Sequence, residues 1–68
     1  MIEVCEFTVY LDGQEDSDIV ATYVVKAVVK PDYVALLETS GKVVRIPNAR
    51  IVKVDTIVAD LVLETHGV

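Results

Sequence analysis

Reactive chemistry is scarce in this sequence. It holds one cysteine (Cys5), one histidine (His66) and no tryptophan among 68 residues. A single thiol excludes an intramolecular disulfide and cannot by itself fill a four-ligand metal cage. No Gly-rich phosphate loop is present, and no nucleophile stands beside an evident base, so an enzyme is not expected. No apolar run approaches the ~20 residues of a membrane helix, and no basic-then-apolar leader is present within these residues. A soluble cytoplasmic protein is the expectation, and the lone cysteine argues against a disulfide-built secreted domain. Linkers, internal repeats and low-complexity tracts are likewise missing.

What is present is apolar surface and a lopsided charge. At 68 residues the chain is expected to form one domain, residues 1–68. At this size folding buries only roughly 60% of the unfolded surface. A hydrophobic fraction of 53% is high for so small a chain. Part of that surface is expected to be covered by a partner, most simply a second copy in a homodimer. The formal net charge is -5. Glu3, Glu6, Asp12, Glu15, Asp16 and Asp18 fall in the first third without a single base. All 6 bases (Lys26, Lys30, Lys42, Arg45, Arg50 and Lys53) fall in the middle segment, 26–53. An acidic whole disfavours RNA, because phosphate contacts need surplus Lys and Arg, although a local basic patch stays open.

The patterning is that of strands throughout. Cys5, Phe7, Val9 and Leu11 alternate with Glu6, Thr8 and Tyr10, the period of a half-buried strand. Asp12-Gly13 starts a turn that the acidic stretch prolongs to Asp18. Ile19 to Val29 reads as a long second strand, with Lys26 and Lys30 sharing a face with Val24 and Val28. Lys30-Pro31-Asp32 ends it. Tyr33 to Glu38 is a third strand, and Thr39-Ser40-Gly41-Lys42 a hairpin turn. Val43 to Ile46 is a fourth strand, stopped by Pro47-Asn48. Ala49 to Val54 is a fifth, with Ile51 and Lys53 on one face and Val52 and Val54 on the other. After a loop at Asp55 and Thr56, a last strand runs from about Val58 to Glu64, with a frayed tail over 65–68. Five or six short strands in so few residues predict an all-β fold, a small SH3/Sm-like barrel. Two flat sheets would leave long unpaired edges, which soluble proteins avoid.

The run Cys5-Glu6-Phe7-Thr8-Val9-Tyr10-Leu11, the Ser40-Gly41-Lys42 turn, and Ile46-Pro47-Asn48-Ala49-Arg50-Ile51-Val52-Lys53-Val54-Asp55 resemble the CooT-like family, over about residues 4–64. The weight lies in the order and spacing of these short motifs. The resemblance implies a small β-barrel homodimer, with roles in nickel delivery during carbon monoxide dehydrogenase maturation and a label of predicted RNA binding. In that family the nickel-binding cysteine directly follows the initiator methionine. The matching position is Cys5, which implies Cys5 as metal ligand, nickel(II) as cofactor and a metalloenzyme maturation client as partner. Residues 1–3 then read as an N-terminal extension. The chemistry agrees: thiolate is a soft ligand, tetragonal nitrogen-rich geometry suits nickel(II), and a two-fold axis beside Cys5 brings two sulfurs together. The competing reading makes Cys5 a small core residue beside Phe7 and Val9.

Other candidates carry less. His66 lies in the tail, far in sequence from Cys5. The loop from Asp12 to Asp18 lacks the residue order of a calcium loop and reads as a solvated turn. Asp55 and Asp60 flank a turn, without a partner for acid–base work, and read as turn formers. Tyr10, Tyr23 and Tyr33 read first as amphipathic strand residues rather than as a base-stacking platform. Lys42, Arg45, Arg50 and Lys53, expected on adjacent hairpin strands, form either a basic strip for RNA phosphate or acidic protein, or edge charges that discourage aggregation.

Overall fold

The computed structural model describes residues 6–66. Six strands follow in chain order: β1 (Phe7–Leu11), β2 (Ile19–Val29), β3 (Tyr33–Glu38), β4 (Val43–Pro47), β5 (Ala49–Asp55) and β6 (Asp60–Thr65). A short 3-10 turn, Asp16–Asp18, interrupts the loop between β1 and β2. The strands form a single sheet in the order β4-β3-β2-β1-β6-β5. All neighbours are antiparallel except β1 and β6, which run parallel with Val9 opposite Leu61 and Leu11 opposite Leu63. The fold is therefore all-β, six short strands curled into a small barrel-like unit, as the strand pattern leads one to expect.

Bulges bend the sheet. Phe7 pairs with Val24 and Val9 with Ala21, so β2 carries one residue more than β1 between these pairs. Tyr23 absorbs the mismatch at φ 55°, a left-handed conformation that aromatic residues seldom adopt. A second irregularity follows in the same ladder between Val9 and Tyr10, a third in β2 between Val24 and Lys26, and a fourth in β5 between Ile51 and Lys53. Each extra residue sharpens the local twist and lets one sheet wrap around one core. The two ends of the sheet meet at Asn48, the single residue between β4 and β5. Its N–H donates to the Asp32 carbonyl at 2.9 Å, and its carbonyl accepts from the His66 N–H at 2.6 Å. Asn48 stands at φ 53°, where asparagine is among the best tolerated side chains.

The core is aliphatic. Val9, Val24, Val34, Leu36 and Leu63 are its most deeply buried side chains, with Phe7, Leu11, Val20, Val44 and Ile51 packed around them. At the β3–β4 hairpin Gly41 has φ 91°, which explains the glycine there.

Three expectations are corrected. Val24 and Lys26 do not share a face, because the irregularity between them turns Val24 into the core and leaves Lys26 exposed. Ile51 and Lys53 do not share a face either: the irregularity between them sets Ile51 opposite Leu63 and on the core, and Lys53 opposite Val62 and exposed. The chain does not leave the fold at residue 65: Thr65 closes β6, and its N–H donates to Asp12 Oδ1 at 2.7 Å.

Candidate functional site

Cys5 lies outside the described residues. Two positions further on, Phe7 opens β1 at the rim of an apolar groove of about 200 Å³. Phe7, Val24, Val25, Ile51, Val54 and Leu61 line it, and Lys26 is its charged lining residue among those described. The groove exists because β2 outruns its neighbour. β1 pairs with β2 from Phe7 onward, so past Val24 the paired partner of β2 is β3 among the described residues. Beneath that overhang the described residues leave the inner surfaces of β5 and β6 open. The volume exceeds the ~150 Å³ of an apolar cavity able to hold benzene.

Beside the groove stands the β5–β6 hairpin. Asp55 pairs with Asp60 across its base, and residues 56–59 form the turn. Asp55 Oδ1 accepts from the N–H groups of Ile57 (3.0 Å) and Val58 (3.4 Å), so Asp55 is the turn former expected of it. Val58, expected to begin the last strand, sits in the turn instead. The tip is apolar and in water: Ile57 is 94% exposed and Val58 61%. Sequence reasoning missed this pair because β-branched residues vote for strand. The usable signal was Asp55, an aspartate placed to hydrogen-bond the backbone two residues on.

On the outer face, the acidic loop folds back over β6. Asp12 takes hydrogen bonds from both the backbone and the hydroxyl of Thr65. These bonds hold the Asp12 carboxyl below its ordinary 3.8, the hydroxyl contributing most. Gln14 donates to Asp60 Oδ2 at 3.3 Å and accepts from Lys53 Nζ at 3.3 Å. Asp12 and Gln14 line an outer-face cleft with Val62, which is 8% exposed although it lies outside the main core cluster. Tyr10 lies opposite Val62 in the β1–β6 register. Partial desolvation, then the Asp60 and Asp16 carboxylates, raise its phenol above 10.0. A Cβ at Gly13 would collide with the Asp18 carboxylate, so a larger residue there would require that side chain to move. The 3-10 turn is closed by Asp18, whose carboxylate accepts from the Glu15 N–H at 3.1 Å.

The bases do not gather into a strip. Lys42 immediately precedes β4, Arg45 belongs to it, and Arg50 and Lys53 belong to β5; the two strands follow one another through Asn48 but are not hydrogen-bonded neighbours, so the expected hairpin between them is absent. Arg45 stacks over the Tyr33 ring at 5.7 Å, Arg50 pairs with Glu64 at 3.2 Å, and Lys53 reaches Gln14. His66 is exposed, and its backbone N–H is engaged by Asn48. Among the described residues no group of three or more His, Cys, Asp or Glu side chains is placed to hold a metal ion. No helix among them is long and apolar enough to cross a membrane.

Compared with protein-family models, curated proteins and solved structures, the chain matches none. The CooT-like resemblance therefore rests on the order and spacing of the motifs quoted above.

Proposed function

We propose that this protein is a nickel(II)-binding accessory protein of the CooT type. The Cys5 thiolate is the metal ligand from each of two chains, and the bound ion is held for a metalloenzyme maturation client. The observation that carries this reading is the agreement of fold: the chain is a small six-stranded barrel of the kind the resemblance implies. The chain has a single thiol, so a site with more than one thiolate donor requires a second copy. Backbone nitrogens near each sulfur are then the natural source of the remaining donors for a tetragonal ion.

Nickel(II) titrated into the chain is expected to give a sulfur-to-nickel charge-transfer band that saturates at one nickel per two chains. Cys5→Ser is expected to abolish the band and leave the circular dichroism unchanged. Undiminished nickel affinity in that variant would refute the reading. A chain shortened to begin with methionine followed by Cys5 serves as the companion titration. A band in the shortened chain alone means that residues ahead of Cys5 mask the site. An RNA-binding module is the other class of reading, and the net charge of -5, with Arg50 paired to Glu64 and Lys53 to Gln14, gives it little support. Salt-sensitive RNA binding, lost on neutralising Lys42 and Arg45, would restore it.

A further inference from the structure

The β5–β6 tip and the groove beside it are two apolar features, each left in water by the described residues. Ile57 and Val58 project from the tip, and Val54, 57% exposed, belongs to the groove wall. From these two features we infer that each is the other's partner across two copies of the chain. The Ile57–Val58 tip of one protomer seats in the Phe7/Val24/Val25/Leu61 groove of the second, and the reverse contact forms at the same time. Knob and hole lie next to one another on one chain, three residues apart at Val54 and Ile57. A two-fold axis passing by Val54 therefore satisfies both contacts at once, as an isologous interface requires.

Three observations favour a second copy over another occupant. First, size: the groove of about 200 Å³ has room for a branched aliphatic side chain or two, which is what the tip offers. Second, charge: Asp55 and Asp60 stand at the base of the tip, and the charged residue on the groove is Lys26. A basic residue on the groove suits an acidic chain as its occupant, whereas an acidic groove would repel it. Third, beyond the Asp55 hydrogen bonds the turn is poorly made for its own sake. Thr56-Ile57-Val58-Ala59 contains no Gly, Pro, Asn or Asp, and Ala59 is held at φ 58°, a conformation unfavourable for alanine. Apolar β-branched residues kept at such a turn, against local preference, fit a contact that needs them.

This inference shares with the nickel reading the second copy but not the metal, so its test is run with chelator present. Sedimentation equilibrium of the native chain is expected to show a dimer. Ile57→Asp alters a side chain that is 94% exposed and is expected to leave the circular dichroism unchanged. It should weaken self-association roughly 100-fold or more, two buried isoleucines being lost per dimer. Ala27→Trp, at an exposed position on the groove lining, is expected to do the same by filling the groove. The deciding measurement mixes the two variants. One intact tip then meets one intact groove, and a heterodimer should form where neither variant self-associates. A native monomer, a dimer indifferent to Ile57→Asp, or a mixture that stays monomeric would each overturn the inference. The first two are also the outcomes expected if residues 1–5 of the same chain fill the groove. Loss of nickel binding alone leaves it standing.

Discussion

Asp12 adopts the left-handed region at φ 59° and spends its carboxylate on Thr65, fifty-three positions away. Its folded pKa lies below its unfolded value, so its contribution to stability is present above about pH 4. It is lost as pH falls through the folded pKa. Asp12→Asn keeps a residue that tolerates positive φ but removes the charge. Its melting temperature is expected to fall below that of the native chain at pH 7, with the gap closing on acidification toward pH 2. A gap independent of pH would show that the carboxylate charge is not what holds Thr65. Tyr10 works in the opposite sense. Its raised pKa means that stability is intact below pH 10.0 and declines as pH rises from there through the folded value. Tyr10→Phe is expected to abolish that alkaline decline, followed as the melting temperature between pH 9 and 11.

The hairpins separate two uses of positive φ. Gly41 adopts φ 91°, and no atom lies within 4 Å of where a Cβ would stand, so Gly41→Ala is opposed by backbone conformation alone. It is expected to cost about 1 kcal/mol in urea denaturation. Ala59, at φ 58°, is the mirror case, and Ala59→Gly is expected to stabilise the chain by roughly 0.5–1 kcal/mol. No gain would mean that the tip relaxes freely around Ala59. Strand limits were largely legible: Ile19–Val29 and Tyr33–Glu38 match expectation to the residue. Both are β-branched or aliphatic runs bounded by residues that turn the chain. The faces of β2 and β5 were less legible. A bulge adds one residue to one strand only, and whether it occurs depends on what the neighbouring strand opposes to it. Cys5, the candidate ligand, was legible as an isolated thiol. The groove was not, since its walls come from four strands spread over Phe7 to Leu61.

For the whole molecule, stability rests on few side chains. A domain of this size has roughly 0.05–0.15 kcal/mol per residue in hand. Leu63 is fully buried against the core, and Leu63→Ala is expected to cost about 2–5 kcal/mol. Urea denaturation should find that variant largely unfolded or close to its midpoint in water. A shift under about 1 kcal/mol would mean that the barrel collapses to refill the space. Val62, on the same strand, lies outside that core in a cleft it shares with the exposed Gln14, so Gln14→Ala is expected to have a much smaller effect.

By itself the sequence determined the all-β class, the positions of most strands, the Ser40-Gly41 and Pro47-Asn48 turns, and a lone thiol that needs other donors to hold a metal. Each of these follows from local rules: β-branched propensity, two-residue alternation, turn chemistry and a count of cysteines. Only the tertiary structure decided that β1 and β6 run parallel, that β4 and β5 do not pair with one another, and that an apolar tip stands beside an apolar groove. Those features come from pairings between distant segments and from bulges that reset which side of a strand faces inward. Neither has a signature within a single window of residues.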